Sequence, residues 1–320
     1  MPMCGGTISK RGVYTAAVRR NERLCDEHFL LVLRLGEFPA SAPGQFVQLQ
    51  CRPPSELIGA AVVEWGGSQL PKFTAPELTG QEVFLRRPFS LAGRREVDGG
   101  VELDIIYRTV GTGTSWLAGV RESQLLSLLG PLGNSLPVHP AKSSAALIAG
   151  GVGIPPMIYL AAALGEAEKT AVAFSGVRSR NLLPLKAGKE KPTPNARPTF
   201  CCAEFDAFGA ASVITSDDGS VGYRGLVSEA FCRWLEDSGV ARDDLVVYSC
   251  GAEPMMRAVG ELCVEGGIEC YLSLERHMAC GMGTCQSCIV KIREDTTGGW
   301  SYKLCCSDGP VFEAADVIWE

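Results

Sequence analysis

The chain is poor in the residues that announce hydrolytic, nucleic-acid or membrane function. Only three histidines occur in 320 residues, His28, His139 and His277, too far apart in sequence to suggest a histidine-rich metal site or an imidazole-driven hydrolase. No block of Lys or Arg is present, and 30 basic against 36 acidic residues leave a net charge of −6. Neither a nucleic acid nor an anionic membrane is therefore an expected partner. The first residues, MPMCGGTISKRGVY, lack the apolar core of a signal peptide, which points to a cytoplasmic, reducing compartment. One uncharged run, Ala145 to Leu164, has the length of a membrane span, but Gly150-Gly151-Val152-Gly153-Ile154-Pro155-Pro156 in its middle would break a spanning helix. It reads as a buried strand, a turn and a helix start.

What the chain has is apolar matter for real cores, at 46% hydrophobic, and 14 cysteines. Up to about Val138, short β-rich runs alternate with turn residues, at Val13–Val18, Phe29–Leu35, Gln45–Gln50, Val83–Leu85 and Leu103–Arg108, predicting a small antiparallel barrel or sandwich. From Ala145 apolar strands are followed by longer helical segments, the pattern of an α/β unit with a parallel sheet. From Cys270 onward six cysteines, Cys270, Cys280, Cys285, Cys288, Cys305 and Cys306, occur with little helical periodicity, as in a small module organised by a metal. The expected units are 1–140, 141–270 and 271–320. Two stretches look inserted: Arg52–Gln81, rich in Pro, Gly and Ser, and Asn181–Pro198, polar and proline-rich enough to be a mobile loop. No internal repeat is present.

The strongest signal is Cys280-Gly-Met-Gly-Thr-Cys285-Gln-Ser-Cys288, followed after seventeen intervening residues by Cys306. The spacing C-x4-C-x2-C…C is that of plant-type [2Fe-2S] centres. Gly281 and Gly283 let the loop take positive φ and turn its N–H groups toward the sulfurs. A structural zinc site is the alternative, although zinc usually prefers paired C-x2-C hairpins. The remaining cysteines have no ligand spacing of their own and suit small buried positions.

A second signal is Gly150, Gly151 and Gly153 with Pro155, after the strand ALIAG and opening a helix. Such a turn admits a phosphate, and tight packing uses the same residues. Its counterpart is Cys250-Gly251-Ala252-Glu253-Pro254, again at the carboxyl end of an apolar strand, the edge where open α/β sheets bind ligands. A third is Arg86-Arg87-Pro88-Phe89-Ser90, followed by Ile106-Tyr107-Arg108 and Gly111-Thr112-Gly113-Thr114. Arginine can neutralise a pyrophosphate and Gly-x-Gly-Thr can offer N–H groups to one; a surface arginine and a β-turn explain the same residues.

Together these segments resemble the ferredoxin-NADP-reductase-like flavoproteins, and within them the electron-transfer subunits of dihydroorotate dehydrogenase type B. RRPFS is similar to the flavin motif RRPIS of that group, with Phe89 a mild departure. YRTVGTGT, GPLGNSLPV, IAGGVGIPPM, TSDDGSVGYRGLV, YSCGAEPMM, LSLERHMACGMGTCQSC and LCCSDGPVF follow in the family's order over nearly the whole chain. The resemblance implies an antiparallel FAD-binding β-barrel at 1–140, a Rossmann-like NAD-binding α/β unit at 141–270 and a [2Fe-2S] module at 271–320. It implies that Arg87 holds FAD phosphate, that Pro88, Phe89, Ser90, Ile106, Tyr107 and Arg108 lie about the flavin and its linker, and that Gly113 and Thr114 cap the pyrophosphate. Gly150, Gly151, Gly153, Pro155, Cys250 and Gly251 would serve the nucleotide. Cys280, Cys285, Cys288 and Cys306 would be the cluster ligands, with Cys306 rather than Cys305 in register with Asp308-Gly309-Pro310. The nucleotide would be NAD, although Arg178 and Arg180 after the strand TAVAFSG could meet the 2′-phosphate of NADP. The implied partner is an FMN-containing catalytic subunit, two copies of each forming a heterotetramer, so no acid-base residue for orotate chemistry is expected here. A reductase arm of another NAD(P)H-linked chain, such as a sulfide dehydrogenase, hydrogenase or oxygenase, and a zinc-stabilised binding module without redox activity are the competing expectations.

Overall fold

Period-two alternation over the first third of the chain builds a curled antiparallel sheet. In the computed structural model, which describes residues 11–52, 63–64, 72–73, 83 and 85–319, the early strands are β1 (Gly12–Arg23), β2 (His28–Leu35) and β3 (Phe46–Leu49). A two-stranded ribbon follows, β4 (Val63–Glu64) and β5 (Lys72–Phe73), then β6 (Arg87–Ser90), β7 (Gly93–Val97), β8 (Gly100–Arg108), a one-turn-and-more helix α1 (Thr112–Ala118) and β9 (Leu125–Leu132). Seven of these strands form one sheet in the order β6-β3-β9-β1-β2-β8-β7, every pair antiparallel. It wraps as a half-barrel around Leu31, Leu33, Val47, Leu49, Leu103, Ile105, Leu126 and Leu128. Apart from Arg52 and the ribbon, the insertion expected at Arg52–Gln81 lies outside the described residues.

One strand differs from expectation. Val83 and Leu85 are not in a strand, and the pairing falls on Arg87–Ser90. The apolar alternation of Val83 and Leu85 was the visible signal, but Leu85 is exposed. Register was decided by β3, and Pro88 is tolerated because β6 is an edge strand.

The α/β unit follows with β10 (Ser144–Gly150), α2 (Ile154–Glu166), β11 (Thr170–Val177), α3 (Ala203–Asp206), β12 (Ala211–Ser216), β13 (Tyr223–Arg224), α4 (Val227–Asp237), β14 (Leu245–Cys250), α5 (Glu253–Glu265) and β15 (Glu269–Ser273). The parallel strands lie in the order β13-β12-β11-β10-β14-β15, so chain order reverses between β10 and β14. Alternate residues of β10 enter different cores, Ala146 and Ile148 on the side of α4 and α5, Ala145, Leu147 and Ala149 on the side of α2. Burial on both faces explains the unbroken apolar runs Ala-Ala-Leu-Ile-Ala and Leu-Val-Val-Tyr. The span-like run at 145–164 is thus β10, a turn and α2, and among the described residues no helix is long and apolar enough to cross a membrane.

The last strands are β16 (Ile289–Arg293), β17 (Trp300–Leu304), β18 (Val311–Glu313) and β19 (Val317–Ile318). β17-β16-β19 form a small sheet, but β18 leaves it and pairs antiparallel with β15 at the edge of the parallel sheet. The expected division at 270/271 therefore falls inside β15.

The segment Asn181–Pro198, expected to be mobile, is tied down. Leu183 and Leu185 pack against the α2-side core and Ala196 is buried. The Gly188 N–H donates to the Cys201 carbonyl at 2.8 Å and the Glu190 N–H to the Phe200 carbonyl at 3.1 Å. Its charged composition hid these few apolar anchors.

Candidate functional site

The cysteine loop occupies Leu274 to Cys288, where no helix or strand forms. Gly281 and Gly283 have φ of +70° and +90°, and Gln286 has φ +56°. This winding aims main-chain donors at sulfur. The N–H groups of Met282 and Cys285 lie 3.5 and 3.4 Å from Cys280 Sγ, and that of Gly283 lies 3.2 Å from Cys306 Sγ. The structure brings the thiols together pairwise, Cys280 beside Cys285 and Cys288 beside Cys306, and among the described residues it does not gather three or more of them into one metal-holding group. Four thiols with N–H donors about them are the kind of donors a [2Fe-2S] centre uses.

Their acidities diverge for clear reasons. The Ser287 hydroxyl, 3.2 Å away, and nearby N–H groups draw the exposed Cys285 down to about 6. Burial, then the Cys288 thiol, pushes Cys306 up to about 12. The neighbouring Cys305 is also pushed up to about 12 by burial, but its N–H donates to the Cys288 carbonyl and it is Cys306 whose sulfur accepts the Gly283 N–H. Asp308 closes the turn after it, accepting from the Leu304 N–H at 2.7 Å.

The turn after Cys306 is clasped to the segment following β9 by Asn134. Its Nδ2 donates to the carbonyls of Asp308 and Val311 at 3.0 and 2.8 Å, and its Oδ1 accepts from the Val311 N–H at 2.9 Å. Gly133 beside it has φ +75°, and a Cβ there would meet Pro310 Cδ at 2.5 Å. The segments GPLGNSLPV and DGPVF, 174 residues apart, thus form one joint.

The half-barrel separates the two adjacent arginines. Arg86 is consumed by the fold, its guanidinium donating to the Ser127 carbonyl and hydroxyl, both at 2.8 Å. Among the described residues the Arg87 guanidinium hydrogen-bonds only main-chain carbonyls, of Leu85 at 3.1 Å and Arg86 at 3.5 Å, and no carboxylate there pairs with it. Gly113 lies beside it, a Cβ at that position standing 3.6 Å from Arg87 Cγ, which brings the Gly-Thr-Gly-Thr turn and the Arg-Pro-Phe-Ser strand together. Thr114 Oγ1 is engaged within its own turn, accepting from the N–H groups of Val110 and Gly111. Pro88 and Ser90 lie half-buried opposite Gln48 and Phe46. Phe89 points into the half-barrel core against Tyr107, ring centroids 5.9 Å apart. Tyr107 is itself 2% exposed, its hydroxyl donating to Asn21 Oδ1, so this side chain is structural on its visible contacts. Ile106 faces the α2-side core, and Arg108 pairs with Glu27 at 2.5 Å.

The nucleotide signals meet at the switch point of the parallel sheet. Ala149 of β10 is paired with Cys250 of β14, so the glycine turn and Cys250-Gly251 are neighbours. Gly153 is forced: a Cβ would stand 2.0 Å from the Cys250 carbonyl oxygen. Gly151 and Gly251 have φ of +54° and +152°, and Pro155 is buried in the first turn of α2. Burial pushes the Cys250 thiol up to about 12, leaving it a neutral wall. Two strands away, Arg180, Lys186 and Lys191 line a cavity of about 580 Å³ together with Ser220 and the buried thiols of Cys201 and Cys202.

Three residues here escaped the sequence reading. Ser287 and Asn134 sit inside motifs that were noticed, without any residue-level signal. Gln48, a lone polar residue in the buried strand Phe-Val-Gln-Leu, carried a weak one.

Comparison with known proteins agrees with this arrangement. Residues 275–318 match the family described as the iron-sulfur cluster binding domain of dihydroorotate dehydrogenase B, and residues 147–261 match the oxidoreductase NAD-binding domain. The chain is 34% identical over 238 residues, 74% of its length and 83% of the relative's, to the dihydroorotate dehydrogenase B (NAD(+)) electron transfer subunit of Caldanaerobacter subterraneus subsp. tengcongensis. It is 31% identical over 277 residues, 86% of its length and 90% of the relative's, to the subunit of that name from Fusobacterium nucleatum. Among solved structures, a chain of the NADH-dependent reduced ferredoxin-NADP oxidoreductase shares the fold with a TM-score of 0.69 at 22% identity, over 98% of this chain and 91% of that one.

Proposed function

The chain belongs to the family of dihydroorotate dehydrogenase B (NAD(+)) electron transfer subunits, and from that premise we propose that it carries electrons from a partner's FMN through a [2Fe-2S] centre and FAD to NAD+ in pyrimidine biosynthesis. FAD, when bound, is the group able to exchange a hydride with a nicotinamide and single electrons with an iron-sulfur centre. The protein's residues supply position and charge. Cys280, Cys285, Cys288 and Cys306 hold the cluster, with the N–H groups of Met282, Gly283 and Cys285 offsetting its negative charge. Arg87 meets the FAD pyrophosphate beside Gly113, and the main chain at Ile106–Arg108 lines the linker. Gly150, Gly151, Gly153 and Gly251 let NAD+ approach the main chain at the carboxyl edge of β10 and β14.

The observation that carries this reading is the Asn134 clasp, which ties the turn Asp308–Val311, just after Cys306, to the segment that follows β9 of the half-barrel. Its outer side offers Met282, 50% exposed, as an apolar contact for an FMN-containing catalytic subunit that performs the orotate chemistry, two copies of each chain assembling in the cytoplasm. NAD is the nucleotide, with Arg178 and Arg180 left to the adenosine side.

Co-expression with the catalytic subunit tests the proposal. Co-elution in gel filtration, flavin and iron-sulfur absorption, and dihydroorotate-driven reduction of NAD+ in preference to NADP+ are expected, with Met282→Glu separating the subunits while the cluster remains. Two separate peaks without orotate-linked turnover, all cofactors being present, would favour a reductase arm of another NAD(P)H-linked chain.

A further inference from the structure

All four residues of β3 are buried, and one of them is polar. The period of two sends Val47 and Leu49 into the half-barrel core and turns Phe46 and Gln48 the other way. On that side Phe46, Leu129 and Leu132 share a core with Cys288, Cys305 and Cys306. Gln48 is 1% exposed, and among the described residues neither its Oε1 nor its Nε2 has a hydrogen-bond partner. A carboxamide withdrawn from water with both ends unpaired is rare in folded proteins and calls for an explanation.

Its neighbours say where that explanation lies. Against one side of the amide is the cysteine loop: a Cβ on Gly281 would stand 2.5 Å from both Cδ and Nε2 of Gln48. Gly281 also has φ +70°, so the loop can pass only as glycine and only with the amide beneath it. On the sheet, Gln48 is directly opposite Pro88 and Phe46 opposite Ser90, and directly opposed residues share a face. Pro88 has no N–H to give. The amide therefore lies between the strand proposed to hold the flavin and the loop proposed to hold the cluster.

We propose that Gln48 is a positioning residue for electron transfer between flavin and cluster. Its carboxamide takes its hydrogen bonds from the polar edge of the flavin ring while its flat face stays packed on Gly281, so that ring and loop are held in one fixed relation. The inference rests on the proposed FAD and [2Fe-2S] centre, and supplies a reason for a polar residue where leucine would fill the same space.

The test uses the full chain with both cofactors loaded, comparing Gln48→Met, which keeps length and removes the amide, with Gln48→Asn, which keeps the amide and shortens its reach. Iron content and the electron paramagnetic resonance signal of the cluster should stay as in the parent. In Gln48→Met FAD should bind about tenfold more weakly, the size of one lost hydrogen bond to a polar ring, and at saturating FAD the flavin absorption envelope and midpoint potential should shift. Single-turnover electron transfer between flavin and cluster should slow, with Gln48→Asn intermediate. Parent-like flavin affinity, spectrum and potential in both variants would overturn the proposal, as would loss of the cluster with the flavin unchanged. If Gln48→Met does not fold, the same readouts on Gln48→Asn decide. A parent protein that binds no FAD when offered it would defeat the functional reading instead, which separates the two failures.

Discussion

The glycine edge between β10 and β14 and the cysteine loop after β15, the two places proposed to meet a charged group, shape their main chain by opposite means. At the edge, closeness is set by strands buried on both faces, which place the Gly153 Cα so near Cys250 that a methyl would stand 2.0 Å from its carbonyl oxygen. In the loop no regular element intervenes between β15 and β16, and the shape comes from positive-φ residues and N–H groups aimed at sulfur, while an asparagine clasp holds the turn after Cys306. The edge is a product of packing and is ready before any ligand arrives. The loop is shaped around the group it carries, so its order and its metal are linked.

The largest effect expected from this contrast is at the loop. Cys306→Ser should abolish the cluster signal and Cys305→Ser should spare it; an intact signal in reduced Cys306→Ser, with loss in Cys305→Ser, would reverse the assignment. The NAD edge should be untouched by either, as NADH binding can show.

At the edge itself, Gly153→Ala pushes a methyl into a backbone carbonyl that cannot rotate away. A loss of about 3 kcal/mol or more is expected, read as a lowered denaturant midpoint together with weakened NADH binding, iron content being retained. A midpoint equal to the parent's would mean the edge is less rigid than the contrast requires.

Asn134→Ala removes three hydrogen bonds from the joint between the half-barrel and the cluster segment. About 2 kcal/mol of docking should be lost, with faster hydrogen exchange at 304–312 and little change along β10 and β14. Uniform loosening of both regions would erase the distinction.

The smallest effect is alkaline. Burial raises Cys51 to about 11 and Cys250 and Cys305 to about 12, from an ordinary 9.0. The folded chain keeps these protons where the unfolded chain releases them. Their contribution is therefore complete below about pH 9 and drains away as pH rises toward 11 to 12. Melting temperature followed from pH 8 to 10.5 should fall past 9, and a flat profile would contradict the burial of these thiols.

Much of the chemistry was legible in the chain because its signals are local. Cys280, Cys285 and Cys288 lie within nine residues, and a loop that short can converge on one cluster whatever surrounds it. The glycines before α2 and the switch from short alternating strands to apolar strands and helices are equally local, since period and turn chemistry act over a few residues. The same local logic misplaced a strand at Val83–Leu85, where the partner β3 decided the pairing. It also made Asn181–Pro198 look mobile, because two leucines and an alanine anchor a segment whose average is charged.

By itself, then, the sequence determined the kinds of groups that can be held, the order of the three structural units and the spacing of the sulfur ligands, all consequences of neighbours along the chain. Only the tertiary structure decided that Arg86 rather than Arg87 is held by Ser127, which of Cys305 and Cys306 faces the loop, and that β18 closes the parallel sheet. It alone joined Asn134 to Val311 across 177 residues and set Gln48 beneath Gly281. Each of these depends on hydrogen bonds and close contacts between distant segments, and a pattern read along the chain carries no information about which partner will occupy the facing position once the sheets have curled and packed.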